Sequence, residues 1–281
     1  MMTRKTSLME VVTLSAIYIV LAITVILVVY PVAWIISGSL NPGDSLYAST
    51  FIPKGITLEH FRHLFTETPY WLWFKNTLMI AFFNMILSTV LIVTAAYAFS
   101  RFRFPGRRYG LMTMLVLQIF PSFMGMIAIY ILLLQINLLD NLWGLILVYA
   151  GGSIPFNAWL VKGYFDGLPR SLEEAAKIDG ASNTKVFTKI MLPMSVPILV
   201  FVAVSNFIGP WMDFIFARLV IRSPENKTLA IGLFELISDR SNTEFSTFAA
   251  GAVLVAVPIT IIFLMLQKYM VEGLKAGANK G

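Results

Sequence analysis

Apolar positions in this chain run together in long blocks rather than alternating. Six stretches, residues 11–43, 76–100, 109–139, 141–161, 190–212 and 245–267, contain no Asp, Glu, Lys or Arg. Each supplies the roughly 20 residues, at about 1.5 Å rise, that carry a helix across about 30 Å of hydrocarbon. A transmembrane barrel would instead show segments of alternating polarity about ten residues long. A helix satisfies its own backbone hydrogen bonds inside lipid, so the pattern predicts an all-α integral membrane protein with six transmembrane helices. The first stretch follows Arg4 and Lys5, as a secretory signal would. Its uncharged run is far longer than the roughly 7–15 residues of such a signal and no Ala-x-Ala site closes it, so it reads as a retained helix.

Composition agrees: 58% of residues are hydrophobic and 13% charged, with a mean hydropathy of +0.78. Soluble domains are nearer 45–50% apolar and about 25% charged. Cysteine is absent, which excludes disulfides, thiolate chemistry and Cys-based metal sites.

Orientation follows from the connections, because Lys and Arg flanks stay cytoplasmic. Of the 21 basic residues, 14 lie at the N-terminus, between the second and third stretches, between the fourth and fifth, and at the C-terminus; the other seven lie on the opposite side. Both termini are thus expected in the cytoplasm. Trp34, Trp71, Trp73, Trp143 and Trp211 fall near outer span ends, and Tyr97, Tyr109, Tyr164 and Tyr269 near inner ones, as interfacial belts require. The net charge of +6 is then mostly a topology signal and calls for no nucleic-acid partner.

One inner connection stands apart: "EEAAKIDGASNTKVFTKIMLPMSVP", residues 173–197, sits between two oily stretches. It reads as two short helices joined by a turn. Ser171 and Glu174 have the spacing of a capping box, with Pro169 upstream. Asp179-Gly180 is a turn dipeptide. Ser182 is placed to cap a second helix whose Val186, Phe187, Ile190 and Met191 form an apolar stripe, limited by Pro193. An amphipathic surface hairpin accounts for this pattern, with Glu174 serving only as a cap. Small Ala175, Ala176 and Gly180 also leave backbone open for close docking, and Glu173, Glu174 and Asp179 suit an anionic leaflet poorly.

These residues resemble the EAA loop of binding-protein-dependent ABC importer permeases. The matching positions are Glu174-Ala175-Ala176, Asp179-Gly180-Ala181, Phe187, Ile190, Pro193 and Pro197. The resemblance covers nearly the whole chain and points to the smaller permease of maltose and maltodextrin importers, through "AFSRFRFPGRR", "WLVKGYFDGLPRSLEEAAKIDGAS", "FIGPWMDFIFARLVI" and "VEGLKAGANKG". It implies a type I ABC importer permease fold in the bacterial or archaeal cytoplasmic membrane. The expected parts are an N-terminal helix and first outer loop (1–70), a transmembrane core (71–268) with the EAA loop at 164–197, and a cytoplasmic tail (269–281).

It further implies a second homologous permease, two cytoplasmic ATPase subunits carrying ATP and Mg, and an extracytoplasmic sugar-binding protein. Glu173, Glu174, Ala175, Ala176, Asp179, Gly180, Ala181, Phe187 and Pro193 would couple this chain to the ATPases, and the tail would reach into the ATPase dimer. The outer loop bearing Ser238, Asp239, Arg240, Ser241 and Asn242 would touch the binding protein, unless it is a plain polar turn.

No G-x-x-x-x-G-K-[ST] occurs, so the chain is read as a transport subunit rather than an enzyme, with no cofactor of its own. His60 and His63 share a helical face near Glu59 and Glu67, a pattern more typical of a solvated turn than of a metal site. No catalytic cluster is visible, and the shortage of carboxylates inside the spans argues against an ion-coupled transporter. Asp213 is the exception; it lines a pathway or pairs at the interface. Gln118, Asn157, Ser205 and Asn206 are the neutral polar groups within spans, as sugar ligands or as helix-to-helix bonds.

Overall fold

The computed structural model describes residues 8–43, 55–238 and 244–278, and no strand occurs among them. Two compact units emerge: residues 1–68 with 233–255, and residues 69–232 with 256–281.

In the first unit, α1 (Leu8–Leu40) is a 33-residue helix, about 50 Å long at 1.5 Å per residue. Its apolar window is wholly exposed, as a lipid-facing span requires. The helix α2 (Glu59–Thr66) buries His60 and Leu64, four residues apart, and turns Glu59 and Arg62 outward. The two histidines take separate partners: His60 Nε2 lies 2.9 Å from the carbonyl oxygen of Asn41, and His63 Nε2 lies 3.1 Å from Glu244 Oε2. They do not converge on one point.

The second unit opens with α3 (Tyr70–Arg101), which crosses as one helix. The third apolar stretch does not. It divides into α4 (Arg107–Leu117) and α5 (Ser122–Gln135), because Pro121 lacks an N–H and disfavours helical geometry in the residue before it. Next come α6 (Leu142–Gly167), capped by the Asn141 side chain, which accepts from the N–H of Trp143, then α7 (Arg170–Ile178) and α8 (Asn183–Val186). The fourth span thus takes residues 164–167 from the expected loop.

The fifth stretch is also interrupted. A π turn covers Phe187–Met191, α9 (Leu192–Met194) follows, and the chain bends by 80° before α10 (Val196–Met212). The break falls at Ser195, with Pro193 and Pro197 on either side. Beyond it, α10 has 17 residues, about 25 Å, enough for most of the hydrocarbon thickness. Short α11 (Ile215–Val220) leads to α12 (Leu229–Ser238) and then α13 (Phe245–Ala278). The last helix runs on through most of the expected tail. Among the described residues four helices are long and apolar enough to cross a membrane, and the bent pair, taken as one span, makes a fifth; α4 and α5 share the remaining stretch.

Two apolar cores hold this second unit. One joins Ile92, Ala96, Val161, Phe165, Met191 and Val202 at the hairpin end; the other joins Ile80, Leu133, Leu145, Ile146, Val220 and Ile231 at the opposite end. Two expected belt residues belong to the interior instead, Trp73 and Trp211 both being buried. Trp73 packs so close to Gly232 that a Cβ there would lie 2.2 Å from the indole.

Candidate functional site

The hairpin begins abruptly after Pro169, whose backbone (φ −61°, ψ 122°) is the N-cap of α7. Ser171 already lies inside the helix and no side-chain cap forms, so the capping box expected from Ser171 and Glu174 is absent: the helix starts two residues earlier, with Pro169 as its N-cap. The other end follows expectation. Gly180 takes φ +82°, its N–H donates to the Lys177 carbonyl at 3.0 Å, and the Ala181 N–H donates to the Ala176 carbonyl at 2.9 Å. This pair of bonds is the Schellman closure, which favours glycine at the left-handed position. Ser182 then caps α8, accepting from the Lys185 N–H at 3.3 Å.

The two adjacent glutamates point in opposite directions. Glu174 is exposed, and no hydrogen bond or ion pair joins it to another described residue. Glu173 is buried, and its Oε1 accepts from Arg101 Nε at 2.6 Å. The same guanidinium donates to Ser100 Oγ at 2.7 Å and to the Phe165 carbonyl at 2.8 Å. Ser100 Oγ in turn donates to Asp166 Oδ1 at 2.6 Å, and Lys162 Nζ meets Asp166 Oδ2 at 2.6 Å. One buried network therefore ties α7 to the ends of α3 and α6. Both partners of its central ion pair have side chains less than a tenth exposed, and removing one member of such a pair leaves an uncompensated buried charge.

Apolar contacts reinforce the tie. Ala176, Ala181 and Phe187 lean on the core at this end, and the Phe187 ring lies 4.6 Å from that of Tyr97. The outer face carries Glu174, Ala175, Asp179, Gly180 and, beyond them, Pro193, all exposed. Between them Ile178 is 87% exposed, an isolated large apolar side chain at the hairpin tip. Sequence reasoning grouped Glu173 with the outward residues, counted Arg101 only as a topology charge and passed over Ile178. A carboxylate on the face shared with Ala176 was the available signal, since a buried acid demands a cation.

A second feature lies deeper in the same unit. A cavity of about 410 Å³ is lined by Asn84, Tyr149, Ser153, Asn157, Asn206 and Asp213, among others. Asn84 Nδ2 donates to the Asn206 carbonyl at 2.7 Å, and Asn84 Oδ1 accepts from Ser88. Asn157 and Asn206 each donate one turn back along their own helices, to Ser153 and Val202. Ser205 also lines the cavity.

Asp213 is largely committed. It accepts from the Tyr149 hydroxyl and from the N–H groups of Phe216 and Ala217, so it starts α11. Gln118 is not among the lining residues; its amide donates to the Gly152 carbonyl at 2.9 Å, next to the break between α4 and α5. The lining includes no Lys or Arg. Of the expected binding-protein contacts, exposed Ser238 donates to the Glu235 carbonyl, and residues 239–242 lie outside the described segments.

Residues 88–275, which include the hairpin and the cavity's α6 and α10 walls, match the family described as "Binding-protein-dependent transport system inner membrane component". The chain is 44% identical over 267 residues to the galactooligosaccharides transport system permease protein GanQ of Bacillus subtilis (strain 168), covering 94% of each. It is 40% identical over 264 residues to the maltodextrin transport system permease protein MdxG of the same organism, covering 94% of this chain and 95% of that one. Among solved structures, a subunit of a bacterial ABC transporter involved in the import of the acidic polysaccharide alginate superposes with a TM-score of 0.82 at 25% identity, over 95% of this chain and all of that one. A hairpin fixed to the ends of two spans, within a sequence that matches over two thirds of its length, places the chain in one family: it belongs to the inner membrane components of binding-protein-dependent transport systems.

Proposed function

We propose that this chain is one of two permease subunits in an ATP-driven importer, moving an uncharged oligosaccharide that a solute-binding protein delivers from outside. The hairpin faces the cytoplasm, where 14 of 21 basic residues are expected, and seats in a cytoplasmic ATPase that supplies ATP and Mg. The observation that carries this reading is the Arg101–Glu173 pair. A surface hairpin meant only to float has no use for a buried ion pair to two spans, whereas a handle must be stiff. ATP binding closes the ATPases, the hairpin follows as a rigid body, and the spans part toward the outside. Glu174 and Ile178 are the contacts offered to the ATPase, a charge and an apolar knob on one exposed face.

The solute class draws on two supports. The relatives are permeases for galactooligosaccharides and maltodextrins. The cavity presents amides and hydroxyls without a basic side chain, which suits neutral sugar hydroxyls and offers nothing to neutralise a carboxylated or phosphorylated solute. Maltodextrins come first, then galacto-oligosaccharides.

The test is ATP-dependent uptake of labelled maltodextrin by the assembled importer in proteoliposomes. Glu174→Ala is expected to lower uptake at least about tenfold, the equivalent of one lost charged hydrogen bond, while the chain still inserts. Uptake at the wild-type rate, or uptake by this chain alone driven by an ion gradient, would overturn the reading.

A further inference from the structure

Beyond solute transport, the same unit carries a basic cavity outside the sugar path that shares only Lys162 with the hairpin network. It lies where α3 ends and α4 begins, has a volume of about 560 Å³, and is lined by Arg103, Phe104, Arg107, Arg108, Tyr109 and Lys162 around Gly106. No carboxylate is among its lining residues. Arg107 forms the floor: its Nε donates to the Phe99 carbonyl at 2.9 Å and an Nη to the Ser100 carbonyl at 3.0 Å, so its charge is fixed in place by the end of α3. Lys162 is balanced by Asp166. Arg103 and Arg108 are exposed, and no ion pair joins either to a described residue. Arg108 lies 5.4 Å from the centre of the Tyr109 ring, which holds the guanidinium at the rim.

Four cations line one concavity and three of them have no carboxylate partner among the described residues, an arrangement suited to an anion. The wall above them shows what kind. Tyr109, Met112 and Val116 follow one another at three- and four-residue spacing on α4 and are 60%, 64% and 52% exposed. An apolar track thus rises from the basic floor along a helix of a membrane-spanning stretch, with Phe104, also exposed, in the cavity lining. A free phosphate has no use for such a track, but a phospholipid has an acyl chain to lay in it. We infer that this cavity is a binding site for an anionic phospholipid, the phosphodiester held by Arg103, Arg107 and Arg108 and one acyl chain lying against Tyr109, Met112 and Val116. Basic pockets beside transmembrane helices hold anionic headgroups in this way, each cation contributing to attraction for the leaflet.

The inference requires only that the chain is membrane-inserted, so it stands or falls independently of which solute crosses. The experiment is native mass spectrometry of the full-length chain in its natural assembly, delipidated in detergent and titrated with dioleoylphosphatidylglycerol or dioleoylphosphatidylcholine. The wild type is expected to retain phosphatidylglycerol under conditions that strip phosphatidylcholine. Arg103→Gln with Arg108→Gln lowers retention about fivefold per charge removed, and Arg103→Lys with Arg108→Lys preserves most of it. Equal retention of the two lipids overturns the inference, as does unchanged retention in the glutamine variant. Displacement of phosphatidylglycerol by millimolar inorganic phosphate would make this a free-anion site and overturn it too. Should the glutamine variant fail to fold, the lipid selectivity and phosphate competition of the wild type decide alone.

Discussion

The two ends of the second unit use carboxylates in opposite ways. At the hairpin end, Glu173 and Asp166 face cations, Arg101 and Lys162, in a network that joins three separate helices. At the other end, Asp140 and Asp213 face backbone N–H groups: Asp140 accepts from Arg222 and Ser223, and Asp213 from Phe216 and Ala217. Backbone donors close corners, Asp213 within its own turn and Asp140 across 82 residues to the segment after α11. A buried ion pair costs more desolvation and strands a charge if either member is removed. The difference teaches that carboxylates at one end hold corners through backbone donors, whereas at the hairpin end ion pairs bind three helices together.

Arg101→Ala should produce the largest effect, because it strands Glu173 and frees the Phe165 carbonyl together. A loss of about 3–5 kcal/mol is expected, read as thermal unfolding of the purified assembly in nanodiscs. Arg101→Met with Glu173→Leu should recover much of that stability but not transport. Full transport in the double variant would dissolve the contrast between the two ends.

Next comes Gly232→Ala at the opposite end, where the new Cβ would press on the Trp73 indole. Overpacking of this sort costs about 1–3 kcal/mol, and the same unfolding measurement reads it. Coupling between ATP hydrolysis and uptake should be untouched, since the site lies far along α3 from Arg101.

Asp140→Ala removes two backbone bonds and should cost about 1–2 kcal/mol. Burial pushes the Asp140 carboxyl up, but hydrogen bonds from the N–H groups of Arg222 and Ser223, with the Ser223 and Asn226 side chains beside it, outweigh this and leave the group below its ordinary value. A lowered folded value means that the stabilisation is complete above the unfolded value of about 4 and is lost as pH falls through the folded value. The variant and the wild type should therefore converge in stability only in strong acid. Convergence at neutral pH would contradict the assignment.

The smallest stability effect belongs to Gly180→Ala. Nothing lies within 4 Å of the added Cβ, so the cost is the left-handed backbone alone, about 1 kcal/mol. Any larger fall in transport would then report on docking.

Much of this architecture was legible because lipid imposes a simple rule: uncharged stretches of the required length become helices, and α1, α3, α6 and α13 did. The breaks at Pro121 and Ser195 were harder to foresee, since a proline within an apolar run either kinks a helix or divides it, and neighbouring helices decide which. The turn at Asp179-Gly180 was visible, as local chemistry determines it. The Arg101–Glu173 pair was not, because it spans 72 residues and depends on which face of α7 turns inward. Asp213 was noticed as unusual, but its role as the start of α11 needed the backbone.

The claim at the centre is that the hairpin moves as one body with the span ends. Spin labels at Lys177 and Phe102, both exposed, measure it by electron paramagnetic distance in the assembled importer, without nucleotide and with ATP. The account predicts a distance constant to within about 1–2 Å across the two states, smaller than the element shifts that accompany switching. A hairpin that swings by several ångströms relative to Phe102 while Arg101 and Glu173 are intact would contradict it.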